Sequence, residues 1–238
     1  MLKYYQKEVK MRKYYEAYED RYKKIHKEKG KAWAGERPSV LLETLLLKYN
    51  AKKHSSILEI GCGEGQNALY LISKGFNVRA SDVSNEAISW CKERAKERQI
   101  DENHFFVMDA LNNDLNKKFD FIYSVAVLHM LVEDYDRIKF LTFIKDHLTD
   151  DGRAFVIVMG DGKEQRHTDP SKAFELADRP FGDELVKVAT TSCRMVTWEE
   201  YLNELEKAGL DVINHYIDTT ISGFSSSMVA EVKRKEIK

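Results

Sequence analysis

Three carboxylates and three glycines carry the chemistry that this chain of 238 residues shows on first reading. The stretch Glu59-Ile60-Gly61-Cys62-Gly63-Glu64-Gly65 follows a short apolar run and precedes a predicted helix. Glycine weakens regular structure, so its repetition there points to backbone that must approach something closely. A dinucleotide site wants G-x-G-x-x-G, and Gln66 stands where the third glycine belongs. An acid two residues ahead of Gly61 is a poor neighbour for a pyrophosphate. It is a good acceptor for an ammonium group, directly or through water. Asp82 comes 17 residues after Gly65, at the end of the next apolar run. There a carboxylate can accept both hydroxyls of a ribose, which suits NAD and adenosine alike. Asp109, in Phe105-Phe106-Val107-Met108-Asp109-Ala110, ends a third run and is placed to accept from an adenine amino group. Three acids on three successive strand ends describe a pocket for a ribonucleoside with a cationic tail.

Positioning those acids takes alternating strands and helices. "SSILEI", "FNVRASD", "HFFVMDA" and "FDFIYSVAVL" are predicted strands. "GQNALYLISKG" is a predicted helix stopped by Gly75, and "SNEAISWCKERAKERQ" one capped by Ser84. "YDRIKFLTFIKDHL" is helical, and Asp151-Gly152 turns into "RAFVIVM", apolar enough to be buried on both faces. Such alternation is the signature of a parallel sheet with helices on both sides. Ahead of it, Pro38 can open a helix with a broad apolar face of Val40, Leu41, Leu42, Leu45, Leu46 and Leu47. From Gly160 to Met195 the pattern lapses into a loop-rich insertion with Pro170, Pro180, Gly162 and Gly182, which reads as a cover. "TWEEYLNELEKAGL" gives a capped helix ending at Gly209, and "DVINHYIDTT" and "SSSMVAEVKR" close the chain as an antiparallel pair.

In this order and spacing, "LEIGCGEG", "VRASDVS", "FVMDAL", "FDFIYSVAVLHML" and "LTDDGRAFVIVM" resemble the class I S-adenosylmethionine-dependent methyltransferases of small-molecule type, over roughly residues 55 to 160. The resemblance implies an α/β, Rossmann-like fold: a seven-stranded, mostly parallel sheet with an antiparallel last strand and an N-terminal helical cap. It implies one methyltransferase domain over 1–238, divided into a cap (1–50), a cofactor-binding core (51–159), a substrate cover (160–195) and a closing helix and strand pair (196–238). Implied cofactor contacts are Glu59 and the bend at Gly61, Cys62 and Gly63 for the methionine part, and Asp82 for the ribose. Asp109 with Ala110 would hold the adenine, Val83 would lie against it, and Ser124 with Val125 would end the fourth strand. S-adenosyl-L-methionine is then the cofactor and S-adenosyl-L-homocysteine the product. The cap would bring Tyr18 and Trp33 to the cofactor; helix packing and core anchoring are the competing roles for this pair.

Methyl transfer from a sulfonium needs alignment and exclusion of water more than it needs a catalytic motif. His129, just after the fourth strand, is the candidate base, set against a histidine that merely satisfies one hydrogen bond at a turn. His167 lies in the insertion among charged neighbours. No cluster of Asp and Asn ligands assembles, so no metal is expected.

Composition narrows the partners. Enzymes acting on base amino groups typically carry Pro-Pro-aromatic after an acid, Asn or Ser at the fourth strand, whereas here Val125-Ala126-Val127 follows Ser124. A small-molecule acceptor is therefore expected, within a pocket that Phe174 and Phe181 could line, and nucleic acid is disfavoured. Residues 1 to 31 nonetheless hold 11 Lys or Arg against 5 acids, with six of the twelve tyrosines in the first 22 residues. This leaves open an RNA- or protein-directed enzyme guided by a basic helix, beside an ordinary amphipathic helix that solvates its lysines. A non-catalytic or NAD-binding protein on the same scaffold is the third reading. No apolar run approaches the ~20 residues of a membrane span. Cys62, Cys91 and Cys193 show no paired spacing, which fits a reducing cytoplasm.

Overall fold

The computed structural model describes residues 12–28, 30, 38–181 and 184–236; Trp33 and Gly182 lie outside them. A short 3-10 turn, Tyr14–Glu16, leads into α1 (Ala17–Lys27), and α2 (Val40–Lys48) follows. The core alternates β1 (Ser56–Ile60), α3 (Gln66–Ser73), β2 (Asn77–Asp82), α4 (Asn85–Glu97), β3 (Phe105–Val107), β4 (Phe119–Val125), α5 (Asp134–His147) and β5 (Leu148–Met159). Then come β6 (Arg166–His167), β7 (Leu176–Phe181), β8 (Glu184–Ala189), β9 (Arg194–Met195), α6 (Trp198–Lys207), β10 (Leu210–Asp218) and β11 (Ser227–Arg234).

The main sheet has the order β10-β11-β5-β4-β1-β2-β3. β4 lies at its centre between β5 and β1, β1 runs parallel to β2 and β4, and β11 runs antiparallel to both β5 and β10. Both faces are covered, which is why the strands read as continuous apolar runs. Leu42, Leu45 and Leu46 of α2, Leu69 of α3 and Cys91 of α4 pack on Ile57, Val78, Phe121 and Phe155. Phe140 and Ile144 of α5 and Leu205 of α6 pack on Leu58, Ile122 and Val156 from the other side. Local signals agree with this placement. The Ser84 hydroxyl accepts from the Ala87 amide, and Thr197 with Glu200 forms a reciprocal capping box.

Three expectations change. The insertion is not loop: β7 and β8 form a hairpin, and β6 pairs with β9 in a second ribbon. Its alternation was masked because Leu176 and Leu185 face solvent (66% and 69% exposed), so apolar type there does not report burial. β5 begins before Asp151-Gly152, with Leu148 paired to Phe119 and a register shift beyond it, so the pair lies within a bent strand. Only part of the apolar face on α2 is used; Val40 and Leu47 are exposed. Among the described residues no helix is long and apolar enough to cross a membrane.

A buried ion pair fixes the segment after β4. The Arg137 guanidinium, 1% exposed, donates through Nε and Nη2 to Glu204 at 2.7 Å each. Its Nη1 donates to the carbonyls of Leu128 and Leu131 at 2.7 and 3.1 Å. Arg137→Ala should lower the unfolding free energy by about 3–5 kcal/mol, because buried Glu204 loses both its hydrogen bonds and keeps only Arg194, at 4.0 Å. Arg234→Ala, which removes a pair with the exposed Asp150, should cost no more than about 1 kcal/mol in the same denaturant titration.

Candidate cofactor and acceptor site

The bend after β1 is built by positive φ at Gly61 (74°), Gly63 (52°) and Gly65 (78°). Space as well as φ demands glycine at its two ends. A Cβ on Gly61 would stand 2.2 Å from Val127 Cγ2, and one on Gly65 would stand 2.8 Å from Cys91 Sγ. The amides of Gly61 and Cys62 both donate to the Ser81 carbonyl, at 2.7 and 2.9 Å, folding the bend back over the end of β2. Asp82 completes the clasp: one carboxylate oxygen accepts from the Gly63 amide and the other from the Ser84 amide, both at 2.9 Å.

The structure brings Glu59, Asp82 and Asp109 to neighbouring strand ends, around this bend. Glu59 is 1% exposed and accepts from the Tyr123 hydroxyl at 3.1 Å and the Asn67 amide at 3.4 Å. Burial pushes its carboxyl up to about 7. Burial also raises Asp82, against the lowering effect of its two amide donors. Asp109, two residues past β3, is half-buried and already engaged: Leu111 donates its amide to one oxygen, and the Tyr15 hydroxyl and the Asn112 amide group donate to the other. Val83 and Ala110 are half-buried beside it, and Val125 ends β4. Ser124 is fully buried, and its hydroxyl has no hydrogen-bond partner among the described residues.

His129 sits in a turn after β4, 5% exposed, with the Phe224 ring nearly perpendicular to its own and the ring centres 5.7 Å apart. Its Nδ1 accepts from the Met159 amide at 3.4 Å, which assigns the ring proton to Nε2. Burial and the nearby Arg137 charge push its pKa down to about 3, so the ring is neutral. Tyr18 is tied to the insertion instead, its hydroxyl donating to the Ser192 carbonyl at 2.8 Å. Ser192 in turn donates to the Met130 carbonyl. Phe174 packs beside Ala17 and Ala189 under the Arg12 guanidinium. His167 is exposed on β6. Among the described residues no group of His, Cys, Asp and Glu is arranged to hold a metal ion.

Sequence reasoning missed that the N-terminal segment supplies polar partners to all three strand ends. Tyr15 meets Asp109; Glu19 accepts from the Ser84 hydroxyl and the Glu86 amide; His26 lies between Glu64 and Glu86. Eleven residues of helix rise about 16 Å, enough to cross three strands spaced about 4.8 Å apart. The signal was present. Tyr15, Glu19, Tyr22 and His26 fall at i, i+4, i+7 and i+11, so an acid and a histidine occupy the face that a packed helix buries. Two open clefts, of about 590 and 840 Å³, lie beside the bend rather than on it. One borders Arg166 and Arg194, the other Asn112 and His147.

Residues 57–152 match the family profile described as a methyltransferase domain. Over those residues the chain is similar to methyltransferase domains, and its fold is that of the class I S-adenosylmethionine-dependent methyltransferases. The methyltransferase CcbJ of Streptomyces caelestis has the same fold over 92% of this chain and 98% of its own, with a TM-score of 0.70 at 16% identity. The glycopeptide N-methyltransferase MtfA, solved with S-adenosyl-L-methionine, covers 83% of this chain and 95% of its own, with a TM-score of 0.61 at 17% identity. Among curated sequences, the ubiquinone biosynthesis O-methyltransferase of Rickettsia typhi is 27% identical over 122 residues, 50% of this chain and 47% of that protein. The chain spans about half the length of the first curated relatives it matches.

The raised Glu59 carboxyl sets a pH dependence. The folded chain retains a proton there that the unfolded chain releases near the ordinary value of 4.5. Stability should therefore fall as pH rises from about 4.5 through about 7, then level off. Glu59→Gln should remove that slope and gain about 1–3 kcal/mol at pH 8, measured as the difference between variant and wild type in denaturant unfolding at pH 5 and pH 8.

Proposed function

We propose that the chain transfers a methyl group from S-adenosyl-L-methionine to O, N or S of a small-molecule acceptor, leaving S-adenosyl-L-homocysteine. One observation carries this reading: Glu59, Asp82 and Asp109 stand on three successive strand ends around a bend that presents bare backbone. Their chemistry fits the cofactor's polar groups in order, with an acid for the amine, one for the ribose hydroxyls and one for the adenine amino group. The bend at Gly61, Cys62 and Gly63 would lie against the methionine part. Val83 and Ala110 would border the adenine, and Ser124 and Val125 the reacting end.

When bound, the cofactor supplies an electrophilic methyl on a sulfonium, and the protein's task is alignment and the exclusion of water. Alignment comes from a wall after β4 with four carbonyls held by side chains: Leu128 and Leu131 by Arg137, Met130 by Ser192, Val132 by Arg194. Water is excluded by α1 above and by the strap around Ser192, joined through Tyr18. His129 serves this wall as a neutral hydrogen-bond acceptor for Met159. Its depressed pKa and engaged Nδ1 suit that role better than proton abstraction. The similarity to a ubiquinone biosynthesis O-methyltransferase of Rickettsia typhi supports a small acceptor.

Asp82→Asn tests the assignment. Calorimetry should show S-adenosylhomocysteine binding weakened by roughly 1–3 kcal/mol, because a charge-assisted acceptor is lost while the bend keeps one of its hydrogen bonds. NADH should bind neither protein. Equal affinity for the product in both, or binding of NADH in preference, would remove the reading.

A further inference from the structure

We propose that α1 is a proton-latched lid, held over the glycine bend while His26 is an imidazolium and released when that ring becomes neutral. His26 Nε2 lies 3.0 Å from Glu64 Oε1 and Nδ1 lies 3.0 Å from Glu86 Oε1. The His26 side chain is 3% exposed, stacked on Trp90 with ring centres 4.1 Å apart, and the Tyr22 ring lies 5.7 Å away. A carboxylate oxygen only accepts, and a neutral imidazole has one N–H and one lone pair. Facing two ionised carboxylates, the neutral ring leaves one contact as lone pair against lone pair. The imidazolium alone satisfies both.

The two partners belong to different elements. Glu64 lies inside the bend, between Gly63 and Gly65, and Glu86 lies in the first turn of α4. One proton thus ties α1 to two parts of the proposed cofactor site. Other described charged groups on these two helices have partners of their own. On α1, Glu19 is occupied by Ser84, the Glu86 amide and the exposed Lys23, while Lys24 pairs with Glu28 at the surface. On α4, Arg94 donates to the Glu64 backbone carbonyl rather than to its carboxylate.

The direction follows from the same contacts. Burial lowers the His26 pKa, but the hydrogen bonds and charges of Glu64 and Glu86 outweigh it, so the net shift is above the ordinary 6.5. A raised histidine contributes its full stability below the unfolded value and loses it as pH rises through the folded one. The latch therefore loosens only above the range in which an ordinary histidine loses its proton. Tyr15–Asp109 and Tyr18–Ser192 continue to hold the start of the helix, so release begins at its C-terminal end. The latch partners are all within the chain, so this inference does not depend on methyl transfer.

Amide hydrogen exchange over residues 17–27 of the full chain, without ligand and corrected for intrinsic rates, reads the latch directly. Between pH 6 and pH 9 the wild type should lose about tenfold in protection. His26→Gln should be weakly protected and flat across that range. Glu86→Gln, altered at a partly exposed position, should keep the transition but move its midpoint down by about one pH unit. A flat wild-type profile, protection that grows with pH, or a wild-type midpoint retained in Glu86→Gln would overturn the proposal. That last comparison decides it even if His26→Gln does not fold.

Discussion

Carboxylates taken out of water must find donors, and much of this molecule's carboxyl edge is arranged around that need. Glu59, Glu64 and Asp82 are 1%, 0% and 8% exposed. Isolated charges at such burial would cost several kcal/mol each, enough to erase the margin by which a domain is folded. Each acid is met differently. Asp82 draws on backbone amides that the glycine bend alone can turn inward, Glu59 on the Tyr123 hydroxyl and a partial return to its neutral form, and Glu64 on a histidine from another element. The glycines are thus needed twice: for the closeness of Val127 and Cys91, and because a bend of that shape delivers an amide to Asp82.

The same need accounts for α1. By apolar content it is a poor helix, with lysines and acids throughout, and yet its inner face is buried at Tyr18, Tyr22, Ile25 and His26. Its polar side chains on that face are placed where the strand ends offer partners, so the helix and the sheet edge satisfy one another. A ligand bound at the proposed site would exchange some of these contacts for its own. An ammonium beside Glu59 would restore the charge that burial suppresses, and hydroxyls beside Asp82 would use lone pairs that the two amides leave over. The fold holds its acids in a state that a cationic, hydroxyl-bearing ligand improves.

How much of this was legible depends on whether a signal was local. The strands β1, β2 and β4, the caps at Ser84 and Thr197, and the acids at fixed offsets from Gly61 are short-range patterns, and the sequence displays them. Glu59 stood out because its type conflicts with the apolar run around it. The hairpin of the insertion did not, since Leu176 and Leu185 point to solvent and Pro180 interrupts the alternation. Nor did the pairing of Leu148 with Phe119, which depends on a bulge that only the neighbouring strand defines. His26 is the instructive case. Its spacing from Tyr15 and Glu19 was visible, but its partners are 38 and 60 residues away, and nothing near it in the chain announces them.

The division between what is readable and what is not also separates donor from acceptor in the proposed reaction. Residues 57–152, the stretch that matches the methyltransferase profile, contain the bend and the three acids. A ligand recognised by backbone amides and carboxylates at fixed strand ends leaves a pattern that survives in any sequence able to bind it. The surfaces that would meet an acceptor lie mostly outside that stretch, on α1, on the β7–β8 hairpin and on the strap around Ser192, with only the wall after β4 within it. There the contacts are made by side chains such as Tyr18, Met130 and Val188, whose apolar packing many residue types could replace. Recognition built from exchangeable apolar groups writes no motif, so the acceptor's identity resides in the shape of three elements brought together, and in none of them alone.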